Sequence, residues 1–120
     1  NMIKQIKSSE IKKFIKENPE TILLDVRTKD EWDTIGKPIT NDLGIETFFI
    51  SIGQDQNFIE NIKKKINKKF QILVMCAAGG RSIVATNLLQ KEGYKAHNIT
   101  DGFSGNGEGL GWKNLGLPTN

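Results

Sequence analysis

The chain is poor in the residues that build metal centres and cross-links: it has one cysteine, Cys76, and one histidine, His97. A lone thiol cannot close an internal disulfide, so a disulfide-stapled fold is excluded. One thiol and one imidazole also fall short of soft-ligand spacing, so neither a metal nor a cofactor is expected. His97 reads as a packed or surface residue. No apolar run approaches the ~18 residues of a membrane-spanning helix, and the start carries no long apolar leader segment. There is no repeat of solenoid period, no Walker motif and no dinucleotide fingerprint. Asn1 ahead of Met2 reads as a residue added before the natural start. The expectation is one domain over residues 2–120, in a cytoplasmic setting.

A large excess of one charge sign is lacking too: 17 Lys and Arg against 14 Asp and Glu leave a formal net charge of only +3. The one dense basic segment, Lys63, Lys64, Lys65, Lys68 and Lys69, is punctuated by Ile62 and Ile66 at i, i+4 spacing. That is the pattern of an amphipathic helix with a solvated lysine face. Nucleic acid and membrane are not expected as partners.

What is present is an alternation of short apolar runs and helical periodicities. Met2 to Ile6 can form an edge strand, and Ser8 or Ser9 can cap a helix carrying Ile11, Phe14 and Ile15. Asn18-Pro19 ends that helix, because a residue before proline disfavours helical backbone. Thr21 to Val26 reads as a buried strand. Thr28 with Glu31 matches a capping box, which predicts a short helix over Lys29 to Thr34. A long loop follows through Gly36, Pro38, Asn41 and Gly44, and Thr47 to Ser51 reads as a strand. Asp55 can cap a helix from Gln56 to Asn67. Gln71 to Cys76 is another apolar strand. A helix then runs from Arg81 to Glu92, with Val84, Ala85, Leu88 and Leu89 inward and Gly93 at its C-terminal stop. Ala96 to Thr100 forms a last strand, and a small helix lies near Trp112 to Leu115. This order predicts an α/β fold: a central, mostly parallel sheet with helices on both faces. Sites in such sheets lie at the carboxyl ends of the strands.

Cys76 falls on that edge. It heads the segment Cys76-Ala77-Ala78-Gly79-Gly80-Arg81-Ser82. Two glycines let the backbone curl and turn its N–H groups inward. A helix N-terminus adds partial positive charge, and Arg81 adds a full one. Together they make an anion-binding nest around one sulfur. Surroundings of this kind favour the thiolate, the nucleophilic form, and would hold an anionic substrate beside it.

At these residues the sequence resembles the rhodanese-like sulfurtransferase family. Asp25-Val26-Arg27 with Glu31-Trp32 is similar to the family's first signature. Cys76 to Ser82 is similar to its active-site loop. Asp101-Gly102-Phe103, Trp112 and Gly116-Leu117-Pro118 are similar to its C-terminal signature. The resemblance implies a single rhodanese-like domain with a five-stranded sheet. It implies that Cys76 carries a persulfide. A small donor, thiosulfate or another persulfide, would supply the sulfur. An acceptor thiol, possibly on a protein, would remove it, or cyanide in an assay. The loop N–H groups from Ala77 to Ser82 would stabilise the persulfide anion. Arg27 and Glu31 are expected to form an ion pair that positions the helix after the strand, with Asp25 holding the edge of the site through backbone hydrogen bonds. Ser82 is expected to cap its helix or to donate to the sulfur. Phe103, Trp32 and Trp112 read as packing residues. Ala77 and Ala78 stand where the family's thiosulfate users carry basic side chains, which leaves Arg81 as the loop's only side-chain cation.

Two alternatives use the same fold. One is a non-catalytic binding or redox-sensing module with the cysteine retained. The other is a cysteine-based phosphatase. Phosphatase loops carry one residue more between cysteine and arginine than the four of Ala77–Gly80, and that extra residue makes room for a tetrahedral phosphate.

Overall fold

The computed structural model describes residues 3–120. Strands and helices alternate: β1 (Gln5–Ile6), α1 (Ile11–Glu17), β2 (Thr21–Asp25), α2 (Lys29–Thr34), β3 (Glu46–Phe49), α3 (Phe58–Lys65), β4 (Gln71–Met75), α4 (Gly80–Lys91), β5 (Lys95–Ile99) and α5 (Gly111–Asn114). The five strands form one sheet in the order β1-β5-β4-β2-β3. Every pairing is parallel, so the sheet is wholly parallel where the sequence predicted it mostly so. No helix among the described residues is long and apolar enough to cross a membrane.

Alternation along the strands divides the core into two layers. Ile22, Leu24, Ile72, Val74 and Ala96 face α3 and α4, where they meet Phe58, Ile62, Ala85 and Leu89. Leu23, Leu73, Met75 and Ile99 face the other way, against Ile11, Phe103 and Trp112. The central strands β2 and β4 are buried on both faces, which explains their unbroken apolar runs. His97 lies on the second face, half-buried against Phe14 and bonded through Nε2 to the Gln71 side chain at 2.8 Å. Phe103 and Trp112 are packing residues as expected, and the Trp112 indole N–H donates to Pro118 O at 2.8 Å.

Several boundaries shift for physical reasons. The first strand shrinks to Gln5–Ile6, and Met2 lies outside the described residues. Neither Ser8 nor Ser9 caps a helix by its side chain. Ser8 is instead buried, and both its N–H (2.9 Å) and its hydroxyl donate to the Asp101 carboxylate. Gly111 N–H donates to the same carboxylate at 2.9 Å. Burial pushes the Asp101 carboxyl up, but these hydrogen bonds outweigh it and hold the group below its ordinary value. Helix α3 starts at Phe58 rather than Gln56, with Asp55 folded back onto Asn57 and Asn61.

Helix α4 carries the largest correction. Val84 is 56% exposed and Leu88 36% exposed, although both were expected inward. The buried stripe is Ser82, Ala85, Thr86 and Leu89, an i, i+3, i+4, i+7 set rotated from the expected one. The rotation follows from Ser82, whose polar atoms are turned onto the Cys76 sulfur.

Candidate active site

Cys76 directly follows β4 and shares the face of Ile72 and Val74, so its side chain points to the α4 side of the sheet. The residue is 1% exposed. Its sulfur accepts the Gly79 N–H at 3.2 Å and the Ser82 N–H at 3.3 Å. The Ser82 hydroxyl lies 3.2 Å from Sγ and accepts from the thiol, while its own proton goes to Asn98 Oδ1. Of the two roles expected for Ser82, side-chain capping is absent, and the donor to the sulfur is its backbone N–H rather than its hydroxyl.

The loop owes its shape to the segment after β5. Phe103 N–H donates to Cys76 O at 2.8 Å and Ser104 N–H to Ala77 O at 2.9 Å. The Asn106 amide donates to Ala78 O at 2.9 Å and to Thr100 O at 2.8 Å. Three successive carbonyls are thus held on the outer side, which turns the loop's N–H groups the other way. The N–H groups of Ala77, Ala78, Gly80 and Arg81 find no acceptor among the described residues. This is the donor array of an anion-binding concavity at a helix N-terminus. Two glycines permit the close packing. Gly79 has φ +95° and a Cβ there would strike Thr100 O; Gly102 has φ +58° and a Cβ there would strike Ala77 O.

The charged residues pair differently from expectation. Arg27 does not meet Glu31. Its guanidinium reaches back to Asp25, with Nη2 at 2.9 Å from Oδ2 and Nε at 3.1 Å from Oδ1. Both side chains are fully buried. Nη2 also donates to Gly36 O at 2.9 Å, and the guanidinium lies 4.0 Å from the centre of the Phe103 ring. Asp25 Oδ1 accepts the Arg27 backbone N–H at 3.1 Å, so it does fix the strand end, though mainly it holds the buried cation. Glu31 points across the mouth of the loop to Arg81, in a bidentate pair at 2.6 and 2.8 Å. The reason lies in the capping box of α2. Thr28 and Glu31 bind each other's N–H groups, which places the carboxylate at the front of that helix, opposite α4.

The pair changes the electrostatics of the site. Arg81, expected to bring a free positive charge to the nest, has that charge matched by Glu31. The hydrogen bond from Arg81 holds the Glu31 carboxyl at about 2, against its burial, and the same bond raises Arg81. The charges of Cys76 and Asp25 also raise Arg81, so its guanidinium still lies within the field of the sulfur. Trp32, the residue after Glu31 on α2, packs edge-on against Phe49 with ring centres 5.3 Å apart.

Sequence reasoning missed Asn98 and Asn106. Asn98 carried a signal: it sits two residues beyond Ala96, in phase with the face of β5 that looks at α4, where an apolar residue is the rule. Asn106 carried none, since an asparagine between glycines reads simply as a turn. Among the described residues no group of three or more His, Cys, Asp or Glu side chains could hold a metal ion.

Comparison with known proteins agrees with this geometry. The family model described as Rhodanese-like domain matches residues 8–106. An uncharacterised protein of Rickettsia prowazekii is 38% identical over 104 residues, covering 84% of each chain. Thiosulfate sulfurtransferase 18 of Arabidopsis thaliana is 31% identical over 102 residues, covering 81% of this chain and 70% of the relative. The crystal structure of a Mycobacterium tuberculosis protein superposes with a TM-score of 0.86 at 27% identity, covering 100% of this chain and 98% of the other.

Proposed function

Because the chain belongs to the rhodanese-like domain family, we propose that it is a sulfurtransferase whose Cys76 carries a sulfane sulfur between a small donor and a thiol acceptor. The observation that carries this reading is the convergence of the Gly79 and Ser82 N–H groups on the Cys76 sulfur at 3.2 and 3.3 Å. Donors fixed in this way stabilise a sulfur anion without any acid–base partner.

The transfer takes two displacements. The Cys76 thiolate attacks the outer sulfur of the donor. A new S–S bond forms, the donor's own bond to that sulfur breaks, and sulfite or a thiolate leaves with the electron pair. An acceptor thiolate then attacks the outer sulfur on Cys76, and the Cys76 thiolate is released. Cyanide in place of the thiol gives thiocyanate. Electrons balance at each step, so no cofactor is needed. The N–H groups of Ala77, Ala78, Gly80 and Arg81 are the donors for the outer sulfur. Thiosulfate and organic persulfides are both candidate donors. The name of the Arabidopsis relative favours the first. The methyl side chains of Ala77 and Ala78 and the compensated charge of Arg81 favour the second.

The burial of Cys76, 1% exposed, favours a second reading, a binding module in which the thiol takes no part. Intact-protein mass separates the two. After incubation with thiosulfate, or with glutathione persulfide, the protein should gain the mass of one sulfur atom, and cyanide should remove it. Cys76→Ser should gain nothing. A wild-type protein that takes up no sulfur from either donor would leave the module reading standing.

A further inference from the structure

Ser82 has one proton and two tasks. When Cys76 is a thiol, its S–H can donate to the Ser82 oxygen, and the Ser82 proton is free for Asn98. When the sulfur is an anion, or bears a second sulfur, it has no proton to give. The Ser82 hydroxyl then belongs on the sulfur, because a hydrogen bond to a charged acceptor is stronger than one to a neutral amide. That reversal would strand the buried Asn98 oxygen unless the group behind Ser82 can reverse too.

A carboxamide can. We propose that Asn98 is a positioning residue for the chemistry of Cys76: by turning over its side-chain amide it lets Ser82 accept from the thiol and donate to the anion. Asn98 is 1% exposed, on the face of β5 that looks at α4. Its Oδ1 accepts from Ser82, and its Nδ2 donates to Gln5 Oε1 at 3.3 Å. A half-turn of the terminal torsion exchanges the oxygen and nitrogen with little change of shape. Nδ2 then donates to Ser82 Oγ and Oδ1 faces Gln5. Gln5 can turn its own amide in the same way, and as an exposed residue on edge strand β1 it passes the change to solvent. No polar group is left buried without a partner in either state, which is what makes both accessible. A serine facing an apolar residue, or a carboxylate that only accepts, would serve one state alone.

The charged groups facing Cys76 do not supply this effect. Asp25 and Arg27 from the end of β2 pair with each other, and Glu31 from α2 pairs with Arg81 from α4. None of the four bonds to Asn98, so changing Asn98 leaves those pairs in place.

The inference deepens the persulfide reading and rests on it for its use, but its test needs no sulfur donor. Cys76 is the only thiol, so the rate of alkylation by iodoacetamide as a function of pH reports on it alone. In Asn98→Leu the Ser82 proton has no amide oxygen to go to and is left for the sulfur, so the profile should move to lower pH, with alkylation on its rising limb about tenfold faster, the effect of one unit in the pH midpoint. Gln5→Leu, at the surface, should move it the same way by less. Unchanged profiles in both variants, with melting temperatures near wild type, would overturn the proposal. Should Asn98→Leu fail to fold, an unchanged profile in Gln5→Leu overturns it alone. Shifted profiles in a protein that takes up no sulfur would uphold the role of Asn98 and count against the persulfide reading instead.

Discussion

Two arginine–carboxylate pairs flank Cys76, and they are physically unlike. Asp25–Arg27 lies within one strand end, with both side chains at 0% exposure. Glu31–Arg81 bridges two helices at the mouth of the loop, with side chains 19% and 39% exposed. The first joins neighbours two residues apart and seals the core under the site. The second joins residues 50 apart and closes the site from the front. A buried pair is costly to break because the survivor is left charged in a medium that cannot solvate it. A partly exposed pair is screened and cheap to open. The molecule therefore has a rigid floor and a yielding front around one sulfur.

The sharpest way to break this contrast is Arg27→Ala. Leaving Asp25 buried and uncompensated should cost about 3–5 kcal/mol, a large part of the stability of a domain this size. Denaturant unfolding checks it. The double variant Asp25→Leu with Arg27→Met should recover much of the loss, since it removes the charge along with its partner. A double variant as unstable as the single would mean that the charges themselves, not the stranding of one, hold the floor.

Glu31→Gln should be milder, about 1 kcal/mol after allowance for exposure. Its signature is in pH. The folded carboxyl sits at about 2, below its ordinary 4.5, so the pair's contribution is complete above about 4.5 and is lost as pH falls toward 2. Thermal melts over that range should show the wild type losing its margin over the variant as acid is added. A margin that persists at the acid end would place the effect elsewhere. The variant also frees Arg81, so uptake of sulfur from thiosulfate should rise relative to uptake from a persulfide. The smallest effect belongs to Lys29–Asp33, an i, i+4 pair in solvent on the same helix α2. Lys29→Ala should melt with the wild type. A loss there comparable with that of Glu31→Gln would erase the distinction between mouth and surface.

The sheet was legible because its signals are local. The apolar runs of β2 and β4 and the Thr28–Glu31 capping box each depend on a few adjacent residues. The loop was legible for the same reason, since cysteine, glycines and arginine stand in one stretch. The pairings were not. Arg27 has a carboxylate on either side within four residues and spacing does not choose between them: its side chain turns back to Asp25, while Glu31 crosses to Arg81, 50 residues on. On α4 the apolar pattern places Ala85 and Leu89 inward correctly but also Val84 and Leu88, because a reading of apolar spacing gives no weight to the polar residues Ser82 and Thr86 that are buried in their stead. The contact of Ser82 with a sulfur on another element decides the rotation. Asn106 acts through an amide whose partners, Ala78 O and Thr100 O, are invisible to any pattern of side chains.

The Asp101 carboxylate has a consequence in time. It joins Ser8 to a residue 93 positions later, and the same turn of chain supplies the N–H groups that hold the Cys76 and Ala77 carbonyls. Strand β1 has β5 as its partner in the sheet, so the first strand has nowhere to dock until nearly the whole polypeptide exists. During synthesis the cysteine emerges well before its mould. The reactive loop is thus among the last parts of the protein to acquire its shape, and a chain cut short before Asp101 would present an ordinary thiol.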